Sequence, residues 1–338
     1  MRFFTLLLFL VTASLAFAQH TFSIVAVDTN TGEVGSAGAT CLDLSDCSTC
    51  TAAIISGLVP GQGAINAQAS VCLPNVNLNN GLDRLEAGDS PQEVLDWLFA
   101  NDACPFGNNQ NRQYGVVDLD DDGNARTAAF TGTEAFDHAD HRVGPTYAIQ
   151  GNILLGPEIL DDMETGFLTS TGTLAERLMA ALQEANVAGA DTRCLDEGVS
   201  SRSAYLRVAR PDDDADDLFL DLLVPQTPVG MEPIDSLQTL FDAFQLTNTV
   251  LTSSADDFFR VYPNPTVGQL QVQLTSLVPP GATLELMWLN GQSIQTYPCE
   301  QAQKVTIPLD ENYASGLKFL VLKTAQGRVL GLRKIFTL

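Results

Sequence analysis

The chain has 338 residues, 45% of them hydrophobic, which is enough for one large domain and one small one, each with its own core. A formal net charge of −24 leaves no phosphate-binding surface, so nucleic acid is excluded as an expected partner. Of the 17 basic and 41 acidic residues, seven and four fall after residue 257, leaving 10 and 37 before it, so net charge changes from −27 to +3 along the chain.

Arg2 followed by an apolar run over 3–15 and by Ala16-Phe17-Ala18 has the form of a signal peptide with small residues at −3 and −1. The spacing predicts cleavage after residue 18 and a mature chain that begins at Gln19. The run is too short to span a bilayer, and no later segment reaches transmembrane length, so no transmembrane segment is expected. Export makes the even set Cys41, Cys47, Cys50, Cys72, Cys104 and Cys194 a disulfide framework whose pairing is left open. Cys47-Ser48-Thr49-Cys50 has the spacing of a redox pair or half a zinc site, but it lacks a second pair and a surrounding βαβ pattern. Cys299 is left over.

Alternating, β-branched residues predict strands over 21–27 and 33–40 around a turn at Thr29-Asn30-Thr31-Gly32, then over 52–58 and 63–71 around Pro60-Gly61. Ser90-Pro91-Gln92-Glu93 is a capping box with proline at the first helical position and opens a helix through about residue 99. A hairpin over 114–119 and 125–131 follows, then a strand over 146–155. Helices are predicted from Pro157 and, behind the cap of Thr173 and Glu176, with Leu178, Met179 and Leu182 on one face. Strands over 203–208 and 218–224 and an amphipathic helix over 235–246 complete this part. Residues 247–257, rich in Thr, Ser and Asp, read as a linker. After it only period-two patterning remains, over 270–274, 284–289, 304–307, 318–323 and 330–336, as in a small antiparallel β-sandwich. Paired strands and paired helices make the larger part α+β.

Val261-Tyr262-Pro263-Asn264-Pro265-Thr266 with Gly268, Leu289-Asn290-Gly291-Gln292, Leu309 with Ala314-Ser315-Gly316, and Arg333-Lys334-Ile335 resemble the type A sorting domain of the type IX secretion system. Lys318 departs from that pattern, which usually has an aromatic there. The resemblance implies passage of the outer membrane through the type IX secretion machinery after Sec export, so the expected destination is secreted or the outer-membrane surface.

Thr21-Phe22-Ser23-Ile24-Val25-Ala26, Thr31-Gly32-Glu33-Val34-Gly35, Gly61-Gln62-Gly63-Ala64 with Gln68-Ala69, Arg112-Gln113-Tyr114-Gly115-Val116-Val117-Asp118, Gln150-Gly151-Asn152 and Gly156-Pro157 together resemble the DUF1028 family. That resemblance implies a layered αββα fold of the N-terminal nucleophile hydrolase type. The expected organisation is a signal peptide over 1–18, this domain over 19–246, a linker over 247–257 and the all-β sorting domain over 258–338.

Such a fold implies a threonine at the chain start, its own α-amine serving as general base, attacking an amide or ester carbon. Thr21 stands where that nucleophile would lie, but signal cleavage leaves Gln19 and His20 ahead of it, so two more residues must go. No lysine precedes Lys304, so lysine-assisted chemistry is excluded. Asn66, Gln68, Asn152 and Arg202 are the candidates to orient substrate or hold an oxyanion, and Ser23 is a weaker substitute nucleophile. No cofactor or metal is expected. Asp118-Leu119-Asp120-Asp121-Asp122-Gly123-Asn124 has calcium-loop carboxylates, but Ala129 stands where a bidentate Glu is needed, so it reads as an acidic hairpin turn. His138 and His141 are placed in a loop, and 212–217 in a solvated turn. The main expectation is an exported hydrolase acting on a small-molecule or peptide substrate. The alternatives are a non-catalytic binding protein on the same fold and a calcium-stabilised surface module.

Overall fold

The computed structural model describes residues 17–19, 21–42, 51–104, 108–252, 258–262, 266, 268–275, 278–288, 293–299, 304–309, 316–325 and 329–337. Most of the signal-peptide expectation, Cys47, Cys50, Pro263 to Pro265 and the 289–292 turn lie outside these residues. The chain divides into two compact units, Met1–Leu237 and Gln238–Leu338.

In the first unit the strands form two antiparallel sheets. One contains β1 (Phe17–Gln19), β4 (Ser56–Val59), β5 (Gly63–Val71), β6 (Arg112–Leu119) and β7 (Ala125–Thr131), in the order β1-β5-β6-β7 with β4 also on β5. The other has six strands in the order β11-β10-β3-β2-β9-β8: Leu220–Val224, Ser203–Ala209, Glu33–Thr40, Phe22–Asp28, Tyr147–Gly151 and Asp140–Gly144. Helices α1 (Val76–Glu86) and α2 (Pro91–Ala100) pack on the first sheet, and α3 (Glu158–Thr169) and α4 (Leu174–Glu184) on the second.

Two glycines permit this close packing. A Cβ on Gly35 of β3 would stand 2.6 Å from Leu178 Cδ1 of α4, and one on Gly81 of α1 would stand 2.5 Å from Ile65 Cδ1 of β5. Outward-facing Ile65, Tyr114 and Val116 form a core with Leu78, Leu85, Val94 and Leu98 of the helices. Inward-facing Val25, Val27 and Val34 meet Ala64, Val117 and Leu58 between the sheets. Period-two alternation therefore gives the central strands β2, β3, β5, β6, β9 and β10 two buried faces, which is why so few polar positions mark them in the sequence.

The capping boxes of α2 (Ser90, Glu93) and α4 (Thr173, Glu176) form as read. Several expectations are corrected. Residues Ala52–Ile55 are a short 3-10 helix, and only Ser56–Val59 are strand, because Thr51 Oγ1 caps the Ala53 N–H and starts a turn. Helix α1, capped by Asn75, was not anticipated. His141 lies in strand β8 rather than in a loop, since its backbone pairs with Gln150. Cys41 pairs with Cys194 and Cys72 with Cys104. The last helix, α5, covers Pro233–Thr252 and so takes in the first six residues of the segment read as linker.

The second unit is all β after α5. Its strands form a three-stranded sheet, β12-β13-β16 (Phe259–Tyr262, Gln269–Leu274, Lys304–Pro308). A four-stranded sheet, β15-β14-β17-β18 (Ser293–Pro298, Thr283–Met287, Gly316–Lys323, Val329–Thr337), completes it. Phe259, Leu270 and Val272 of one sheet share a core with Leu284, Leu286, Leu320, Leu322 and Ile335 of the other. Lys318 alternates with Leu320 and Leu322 on the same strand, is fully buried, and sets its Nζ 5.0 Å from the Trp288 ring. Burial lowers its pKa, and the cation–π contact offsets part of the desolvation. Cys299 is free and buried in this core.

Candidate functional site

The space between the two sheets of the first unit is apolar toward one end, where the Val25–Val27 cluster lies, and polar toward the other. Ser23, Ser36, Asn66, Gln68, Gln113, Gln150, Asn152 and Tyr205 are all fully buried there, and Thr21 is 1% exposed. An unpartnered polar group in such a place costs on the order of 1–3 kcal/mol.

Gln68 Nε2 donates to the Thr21 carbonyl at 3.0 Å and to Gln113 Oε1 at 2.7 Å. The Thr21 carbonyl also accepts the Asn152 N–H at 3.2 Å. Asn152 Nδ2 donates to Gln113 Oε1 at 3.0 Å, and Gln113 Nε2 donates to Thr131 Oγ1, the Asp140 carbonyl and the Gly151 carbonyl. Ser23 Oγ donates to Gln68 Oε1 and accepts from Gln150 Nε2, both at 2.6 Å. The network joins β5 and β6 of one sheet to β2, β8 and β9 of the other; it converges on the Gln113 amide, and the Thr21 carbonyl joins it through Gln68 and Asn152.

Gln150 Oε1 has no hydrogen-bond partner among the described residues and lies over Gly115, where a Cβ would stand 1.9 Å from it. Thr131 Oγ1 is 2.9 Å from His141 Nδ1, which connects the network to a partly exposed imidazole whose pKa burial lowers. A second group adjoins it: Ser36 Oγ donates to Asn66 Oδ1 at 2.8 Å and lies 3.0 Å from the Tyr205 hydroxyl, whose pKa burial pushes up to about 12.

The structure therefore brings Thr21, Gln68 and Asn152 together and sets Asn66 in the neighbouring group. Arg202 bonds elsewhere, to Glu197 and to the Thr227 carbonyl. Ser23 is committed on both sides of its hydroxyl. Gln113 and Gln150 were not singled out from the sequence. Their signal was a polar residue on the inward face of a strand whose other inward positions are Gly or aliphatic.

Backbone strain gathers at the same place. The non-glycine residues with left-handed φ among those described are Ala69 (70°), Phe136 (74°), His138 (47°) and Ile153 (53°). Ala69 follows Gln68, and Ile153 follows Asn152 and donates to the Asp137 carbonyl at 2.8 Å. Phe136 and His138 lie in the loop leading to Asp140. Conformations of this kind cost about 1–3 kcal/mol each and concentrate at functional sites.

Among the described residues no group of His, Cys, Asp and Glu is arranged to hold a metal ion. Residues 120–124 form the β6–β7 turn, in which Asp120 Oδ1 accepts from the N–H groups of Asp122 and Asn124, while Asp118 and Leu119 end strand β6. Among the described residues no helix is long and apolar enough to cross a membrane.

Residues 21–237 match the model of a family of unknown function (DUF1028), and residues 260–335 match a secretion system C-terminal sorting domain. The chain is similar to the crystal structure of a DUF1028 protein from Silicibacter pomeroyi at 25% identity and a TM-score of 0.50, over 66% of this chain and 88% of that one. Domains 3 and 4 of rat CD4 (10% identity, 69% of this chain and 79% of that one) have a TM-score of 0.19, too low to bear on the fold. The same holds for dimeric latent PorU from Porphyromonas gingivalis (11% identity, 95% and 30% covered, TM-score 0.19). No curated protein matches the chain.

Proposed function

The chain belongs to the DUF1028 family, and from that premise we propose that its first unit is a layered αββα N-terminal nucleophile hydrolase that cuts an amide or ester bond. The sorting domain points to secretion or the cell surface; in this reading the type IX machinery carries the protein there after a leader is removed before Gln19. The observation that carries the reading is the half-polar interface. One end of the same layer is closed with Val and Ala at no risk of an orphaned polar group. The other end has eight fully buried polar side chains beside strained backbone, and there the Thr21 carbonyl accepts from Gln68 Nε2 and from the Asn152 N–H.

Once Thr21 is the first residue, its α-amine accepts the hydroxyl proton as Oγ1 attacks the carbonyl carbon of the substrate. The tetrahedral intermediate collapses, and the leaving amine or alcohol takes that proton from the ammonium. Water then hydrolyses the threonyl ester by the reverse path. Gln68 and Asn152 are positioning residues: by holding the Thr21 carbonyl from two sides they fix the direction of its amine and hydroxyl. Asn66 supports the adjoining Ser36–Tyr205 group, and Arg202, bonded to Glu197 and the Thr227 carbonyl, has no part in this reading.

The test is covalent trapping. A β-lactone offered to the exported protein should add one equivalent to the Thr21 peptide, and Thr21→Ala should abolish it. Labelling at Ser23 instead would move the nucleophile there, and no labelling in a chain shown to begin at Thr21 would favour a binding protein that retains the fold.

A further inference from the structure

The segment in front of Thr21 has a defined place. Phe17, Ala18 and Gln19 pair antiparallel with Val71, Ser70 and Ala69 of β5. Ala69 also pairs with Arg112 of β6, so β1 occupies the opposite edge of β5, the edge that β4 covers farther along at Gly63 to Asn66. Phe22 is already in the second sheet, paired with Ala39 and Gly151. Gln19 is thus in the first sheet and Phe22 in the second, with Thr21 between them in the chain.

We infer that the β5 edge at Ala69–Val71 is a strand-addition site for an extended polypeptide, and that it holds the acyl side of the bond cut at Thr21. This rests on the nucleophile reading and names its substrate as a peptide. In the uncut chain the occupant is the chain's own Phe17–Gln19, joined through His20 to the nucleophile. Removal of residues 1–18 takes away two of the three paired residues, and removal of Gln19 and His20 takes the last. What remains is an open row of backbone N–H and C=O groups, with Thr21 beside it, and an added strand satisfies such a row by main-chain pairing.

The edge is built to persist when β1 leaves. Arg112, 2% exposed, donates to the Ser70 carbonyl, to Asp102 at 3.0 Å and to the Cys104 carbonyl at 3.1 Å. Cys72, next after Val71, is disulfide-bonded to Cys104 and its N–H lies 3.2 Å from Cys104 Sγ. Guanidinium, carboxylate and disulfide hold residues 69–72 from behind, on the side away from β1. Ala69, with its left-handed φ of 70°, joins this edge directly to Gln68, which holds the Thr21 carbonyl. A pre-formed edge binds a strand without first paying to order its own backbone.

The test uses the chain begun at Thr21, carrying Thr21→Ala so that nothing is turned over, and a synthetic peptide of residues 15–20. Amide exchange across Ala69–Val71 should slow about ten-fold or more at saturating peptide. A peptide N-methylated at each backbone amide should not slow it. The inference is overturned if the peptide leaves exchange at these amides unchanged, or if the methylated peptide protects them equally. A chain begun at Gln19 repeats the measurement should the shorter one not fold. Protection in the Thr21→Ala chain without trapping at Thr21 in the native one would remove the nucleophile reading alone.

Discussion

Replacing Gln113 by Leu keeps the approximate side-chain volume and deletes the amide on which the buried network converges. Gln113 Oε1 accepts from Gln68 and Asn152, and its Nε2 serves Thr131 and the Asp140 and Gly151 carbonyls. Three buried groups lose this partner: a hydrogen of Gln68, a hydrogen of Asn152 and the Gly151 carbonyl. Each costs roughly 1–3 kcal/mol, while the leucine recovers about 2 kcal/mol by burying its methyls. Gln68 keeps the Thr21 carbonyl and Thr131 keeps His141, so the lower half of the range applies and the net loss is about 1–4 kcal/mol. Urea unfolding followed through Trp97, in a background where Trp288→Phe removes the second tryptophan, reads this in the first unit alone. The midpoint should fall with an unchanged slope. Gln92→Leu is the matched control, since Gln92 is exposed and bonds only Asp96, and should stay within about 0.5 kcal/mol. A Gln113→Leu chain no less stable than that control would refute the network.

His141 and Cys299 give two further predictions. Burial, reinforced by Arg142 and opposed by Asp140, holds the His141 pKa below its ordinary value of 6.5, so folding favours the neutral ring. Its contribution is complete above pH 6.5 and is lost as pH falls from there toward the folded value. The melting temperature of the first unit should therefore drop between pH 7 and pH 5. His141→Gln should flatten that slope, and equal slopes would contradict the assignment. Burial pushes the Cys299 thiol up to about 11, so an aromatic disulfide at pH 8 should label it only as fast as the second unit opens. Immediate stoichiometric labelling of the native chain would contradict its place in the sandwich core.

Much of the fold was legible because its signals are local. Strands 33–40, 63–71 and 125–131 begin just after turn residues, Gly32, Gly61 and Gly123, that stand with positive φ. The two capping boxes need only residues three apart. Helix α1 was not legible: Asn77-Leu78-Asn79-Asn80-Gly81 is poor in helix formers. Its glycine is required by the close approach of Ile65 of β5, a contact that propensity does not carry. The site divides in the same way. Thr21, Gln68 and Asn152 stood out beside family motifs. Gln113 and Gln150 look like ordinary strand residues until pairing sets Gln113 opposite Gln68 and Gln150 opposite Ser23. A cross-sheet network is a property of register, and register is what a single sequence states least directly.

The central claim is that Thr21 becomes the first residue of the working protein. Intact-mass analysis of the exported chain decides it. The exported chain should start at Thr21, and the Thr21→Ala chain should retain Gln19 and His20. A native protein that begins at Gln19, free or cyclised, has no threonine amine to act as base and would contradict the mechanism.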